Sequence, residues 1–166
     1  MTRDRRRKAD VRVHQAATGA PYLVAARQIT PPTLAEVMQQ HPLLNSFGIG
    51  VFDPPRKTAE QRQAELAAAR AELAGAEARV METVAWLREN IAPIKTPTAG
   101  SYSVKHVMER ATGRYVMNGE FIAAALIAGY TFTYAQPNVL FGMSARDPKR
   151  IHGATRQGAL RPSERA

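Results

Sequence analysis

Between Thr58 and Ile91 the chain runs for 34 residues without a proline, and most positions are strong helix formers. Little besides a helix can be built from such a stretch. Thr58 and Gln61 have the spacing of a capping box that opens it, and Pro93 ends it. Gly75 is the one weak position, at a cost of about 1 kcal/mol. Uninterrupted, the run predicts a rod of roughly 50 Å. Leu66, Leu73, Val80 and Leu87 recur every seven residues, flanked by Ala69, Ala76, Val84 and Ile91. That seam suits a coiled coil pairing two copies of the chain through residues 58–91, with small residues allowing close approach. It suits equally an amphipathic helix packed within its own domain. The first half is too polar to be buried all round, whereas Val80–Ile91, with Trp86, is expected to dock on the C-terminal unit.

Around this element the punctuation defines shorter pieces. Residues 1–30 predict a basic helical hairpin: Thr2 caps a helix, Thr18-Gly19 ends it, Pro21 opens a second helix and Thr30-Pro31-Pro32 stops that one. Residues 31–57 read as an extended linker, with a short helix from the capping box Thr33–Glu36 to His41-Pro42 and an apolar strap from Leu43 to Phe52. The long helix occupies 58–92. After a turn-rich link, 96–145 predicts a compact helix–helix–hairpin unit. Ser101 or Ser103 caps its first helix and Asn118 its second, with Glu120 in the first turn. The strands run Tyr130–Tyr134 and Val139–Met143, about a turn at Ala135–Asn138. Val107, Phe121, Ile122, Leu126 and Phe141 are its expected core. Residues 146–166 read as a flexible basic tail. The fold class is therefore mainly α.

Charge is distributed unevenly over these pieces. Residues 1–30 hold seven Lys/Arg against two Asp, and 146–166 hold six against two carboxylates; the stretch between them is neutral, so the ends carry the whole net charge of +9. Arg3, Arg5, Arg6, Arg7, Lys8 and Arg12 at one end, with Lys149, Arg150 and Arg156 at the other, are the candidate phosphate contacts. Arginine outnumbers lysine 18 to 5, which suits bidentate phosphate contact. A solvated basic terminus is the plain alternative.

Other function classes find little support. The chain has no cysteine, which excludes disulfides, thiolate zinc sites and thiol catalysis. It has no P-loop, dinucleotide fingerprint or nucleophile elbow. The four histidines are scattered; His106 and Glu109 share a helix face, most simply as a surface pair. Only eight carboxylates lie outside the long helix, none of them paired for acid–base work. No metal, cofactor or catalytic residue is expected, and the protein is read as a non-enzyme. The longest apolar run, Phe121–Tyr130, is too short to span a bilayer, and no secretory segment follows the basic start, so a cytoplasmic protein without a membrane partner is expected. The helix–helix–hairpin order invites a winged-helix reading, but the second helix, Glu120–Gly129, has no Arg, Lys, Asn or Gln to read base edges and looks like a core helix. Tyr115 is expected to anchor its loop.

Two stretches resemble known sequences and together cover about a third of the chain. Residues 101–130, opening Ser101-Tyr-Ser-Val-Lys-His-Val-Met-Glu-Arg110, resemble segments of small proteins from bacterial plasmids and phages. Residues 4–27 resemble a short module at the start of various actinobacterial proteins. The resemblance implies a mobile-element setting, not an activity. The expected function is that of a nucleic-acid-associated accessory protein gripping phosphate without reading sequence. An adaptor using the helix seam and the strap is the alternative.

Overall fold

The computed structural model describes residues 3–22, 25 and 31–159; the side chains of 3–10 and 155–159 lie outside that description. Helix α1 (Arg3–Thr18) comes first and ends at Gly19, where the sequence places its stop. The second helix of the expected hairpin falls largely outside the described residues. Helix α2 (Leu34–Gln40) opens on the expected capping box: the Thr33 hydroxyl accepts from the Glu36 amide, and the Glu36 carboxylate accepts from the Thr33 amide. A 3-10 turn at Pro54–Arg56 precedes helix α3 (Ala59–Ala74), capped by Thr58 and Gln61 in the same reciprocal way.

The rod expected over 58–92 is broken. Helix α3 ends at Ala74 and helix α4 (Glu77–Asn90) starts after a turn at Gly75-Ala76. Gly75 has φ −73°, which any residue adopts, so backbone strain does not force the break. Leu73 and Ala76, on either side of the break, both reach the core. Leu73, Val80 and Leu87 are fully buried within this one chain, and only Leu66 of the heptad series is half-exposed. In Leu73, Val80 and Leu87 the seam is spent on the protein's own interior, as in the packed-helix reading.

Helices α5 (Ser101–Thr112) and α6 (Asn118–Ile127) follow, then strands β2 (Phe132–Ala135) and β3 (Asn138–Phe141). The link before α5 contributes a short strand β1 (Ala99–Gly100), so the hairpin becomes a three-stranded antiparallel sheet in the order β1-β3-β2, with Ala99 opposite Phe141 and Tyr134 opposite Val139. Every residue from Gly119 to Ala128 is buried, making α6 the central helix against which α4 packs. It cannot enter a DNA groove. Phe121, Ile122, Leu126 and Phe141 are buried as expected, while Val107 is only partly so. One apolar cluster runs through residues contributed from Leu34 to Ile151.

Of the expected flexible tail, residues 146–159 form a helix, α7 (Arg146–Ala159), packed against α5, and residues 160–166 lie outside the described residues. Ile151 is buried, the Asp147 carboxylate accepts from the Ala92 amide at 2.8 Å, and Arg150 donates to the Asn90 carbonyl. The composition there is polar and basic, but these few anchors decide the state of the segment. Among the described residues, no helix is long and apolar enough to cross a membrane.

Candidate functional site

The apolar segment 43–52 is a compact loop and not an extended strap. Leu44 and Ile49 form an isolated bridge, and the Asn45 and Gly48 amides each donate to the other's carbonyl. The buried Asn45 side chain completes the turn: its Nδ2 donates to the Leu43 and Gly50 carbonyls, and its Oδ1 accepts from the Phe47 amide. Helix α3 clamps the loop from one side. The Arg70 guanidinium donates to the carbonyls of Met38, His41, Pro42 and Leu44, and Ser46 donates to Glu72. Helix α6 and the β2–β3 turn close on the other side, through Gly119 amide to Ser46 carbonyl at 3.0 Å and Ile49 amide to Pro137 carbonyl at 2.9 Å. The fit is close. A Cβ on Gly119 would stand 1.7 Å from the Asn45 carbonyl oxygen, so only glycine serves there. The tip, Phe47, is left exposed.

Two clefts flank this loop. The larger, about 470 Å³, is walled by Phe47, Tyr102, His106 and Tyr115, with Lys105 and the Asn118–Asn138 pair also lining it. On α5 the residues Tyr102, Lys105, His106 and Glu109 follow the spacing i, i+3, i+4, i+7, which puts them on one face. Glu109 ties that face together. Its Oε1 lies 2.7 Å from Lys105 Nζ and accepts from the Val116 amide, and its Oε2 lies 2.6 Å from His106 Nδ1. Burial pushes the Glu109 carboxyl up, but the Lys105, Val116 and His106 donors outweigh it and hold it below the ordinary carboxylate range. An ionised carboxylate only accepts, so His106 carries a proton on Nδ1 and turns Nε2 outward from that bond. The Lys105 ammonium sits 5.4 Å from the Tyr102 ring centroid and 5.1 Å from that of Tyr115, a cation held near two aromatic faces.

Asn118 does not cap α6; Met117 is the N-cap residue, and its amide donates to Glu120. The Asn118 side chain instead joins three elements. Its Nδ2 donates to the Phe47 carbonyl and to Asn138 Oδ1, and its Oδ1 accepts from the Ser101 hydroxyl. Neither expected serine occupies the N-cap of α5, which falls to Gly100; buried Ser101 also accepts from the Val139 amide. Tyr115, expected to anchor its loop, is 74% exposed, and Tyr130 is the buried anchor, donating to the Ile91 and Leu87 carbonyls.

The smaller cleft, about 270 Å³, lies between His41, Leu43, Leu44, Ile49, Tyr134 and Gln136. The Tyr134 hydroxyl lies 2.5 Å from His41 Nδ1, and the Phe132 ring packs edge-on against both rings. Burial lowers the His41 pKa and raises that of Tyr134, which keeps both groups neutral. No carboxylate lines either cleft.

The residues expected to contact phosphate lie elsewhere. Arg12 on α1 and Lys149 and Arg150 on α7 are exposed; the side chains of Arg3, Arg5, Arg6, Arg7, Lys8 and Arg156 lie outside the described residues, although their backbones belong to α1 and α7. Among the described residues, no group of three or more His, Asp and Glu is placed to hold a metal ion. Tyr102, Phe47 and Asn138 escaped the sequence reading. The helical spacing of Tyr102 with His106 and Glu109 was a usable signal; the approach of Phe47 and Asn138 from other elements left none. No protein-family model, curated protein or solved structure matches the chain.

Proposed function

We propose that the protein is a non-enzymatic accessory protein that grips nucleic acid by its phosphates, without reading sequence, through the basic helices at its two ends. The observation that carries this reading is where cations are left over. In the body most are engaged: Arg56, Lys57, Arg79, Lys105 and Arg114 pair with carboxylates, and Arg62 and Arg70 bind backbone carbonyls, while Lys95 and Arg110 are exposed. The net charge falls on the two ends, where Arg12 of α1 and Arg146 and Lys149 of α7 are exposed. Such a distribution attracts a polyanion. A mobile-element setting rests on the resemblance of residues 4–27 and 101–130 alone. For the adaptor alternative, Leu73, Val80 and Leu87 of the seam are buried, while the strap buries Leu44 and Ile49 and exposes Leu43, Phe47 and Phe52.

A salt titration of duplex DNA binding tests the proposal. The logarithm of the affinity should fall linearly with the logarithm of salt, by about 0.9 per phosphate contacted. Arg5→Ala, Arg6→Ala and Arg7→Ala combined should flatten that slope by up to about three such steps, and Lys149→Ala by about one. Slopes equal to wild type in both variants would reject the reading.

A further inference from the structure

Seven of the protein's eleven aromatic side chains are exposed. Apart from Tyr22, all of these either line one of the two clefts or touch a ring that does: Phe47, Tyr102 and Tyr115 at the larger, Tyr134 at the smaller, Phe52 against Phe47, and Phe132 against Tyr134. The core is closed without them, so their exposure does nothing for folding and costs contact with water. The two clefts sit side by side, sharing the Leu44–Ile49 loop and the Gln136–Asn138 turn as their common partition. Their ionisable lining groups are Lys105, His106, His41 and tyrosines, with no carboxylate among them, which disfavours a cationic ligand.

A flat, uncharged ring with hydrogen-bonding edges, attached to an anion, satisfies all of these features. Tyr102 and Tyr115 supply ring faces. Lys105 lines the larger cleft with its ammonium almost wholly buried against Glu109. The Asn138 Nδ2 donor has no hydrogen bond among the described residues, since Asn118 occupies only its Oδ1. We infer that this face binds single-stranded nucleic acid, with unpaired bases of one strand stacked in the two clefts. Aromatic stacking accepts any base, because every base has a π face, and duplex DNA keeps its bases out of reach. The inference rests on the nucleic-acid reading above and adds to it the form of nucleic acid preferred.

The test is fluorescence anisotropy at low salt with three labelled probes: oligothymidylate and oligouridylate of about twenty nucleotides, and a duplex of equal length. The wild-type protein should bind a single strand more tightly than the duplex, and the better of the two single strands identifies DNA or RNA as the source. Tyr102→Ala with Tyr115→Ala should weaken single-strand binding about tenfold or more and leave duplex binding unchanged. Tyr102→Phe with Tyr115→Phe keeps the stacking faces and should bind as wild type. Tyr134→Ala at the smaller cleft serves as an independent variant, should the first pair fail to fold. Single-strand binding unaltered by both Ala substitutions, or lost in parallel with duplex binding, would overturn the inference while the phosphate-grip reading stands; the aromatic face would then be a protein interface. Wild-type protein that binds none of the three probes would overturn both.

Discussion

Glu109 receives three donors, and one of them, Lys105, is almost wholly buried. Removing the carboxylate charge leaves that ammonium buried and unpaired, so Glu109→Gln should cost about 3 kcal/mol in urea unfolding at neutral pH. The acid dependence has a definite sign. The folded carboxyl titrates below the ordinary value, so its contribution is complete above that value and is lost as pH falls through the lower, folded one. The Glu109→Gln variant lacks this titration and should show a smaller difference in stability between neutral pH and about pH 4. An identical acid loss in both proteins would show that Glu109 makes no such contribution. The pairing of His106 with Glu109 was legible as a spacing, but not its depth. The i, i+3 rule places two side chains on one face without saying what covers that face. The following loop supplies it: the Val116 amide donates to Glu109 and the Tyr115 ring lies 5.1 Å from the Lys105 ammonium, contacts that no local pattern encodes.

At the scale of elements, the signals that act within one turn held at the reciprocal caps and failed at the single-residue caps, where Gly100 and Met117 stand in place of Ser101 or Ser103 and Asn118. The capping boxes at Thr33 and Thr58 and the stop at Gly19 stand where the residues put them, because such signals are satisfied by neighbours within about a turn. Signals that depend on tertiary burial misled. Helix-former content over 58–92 favoured one rod, yet the chain turns at Gly75-Ala76, with Leu73 and Ala76 both in the core, and forms two helices. The polar composition of 146–159 favoured a flexible tail, yet Ile151 and Asp147 dock it as a helix. The assignment of the heptad series to the core has a direct check. Leu73→Ala should lower stability by about 2–5 kcal/mol and leave the sedimentation of the folded protein unchanged. A shift to a lighter species at equal stability would instead return the seam to an interface between copies.

The molecule as a whole joins a charge-balanced body to two basic helices, and α7 belongs to both halves of that description. It carries exposed Arg146 and Lys149 while closing one flank of the core with Ile151. A chain ending at Ala145 should therefore lose about 2 kcal/mol or more by thermal or urea unfolding, the lower bound for deleting a buried aliphatic side chain. Unchanged stability would mean that α7 is not docked. The same dual role means that the contribution of this end to nucleic-acid binding is measured by substituting Lys149, since truncation also alters the fold. Contact between Gly119 and Asn45 has a different kind of consequence, one of descent. Surface charges and exposed tyrosines can drift as lineages diverge, but any heritable change at residue 119 must first move an entire loop. In distant kin of this chain, the glycine opening the central helix should outlast most of the residues around it.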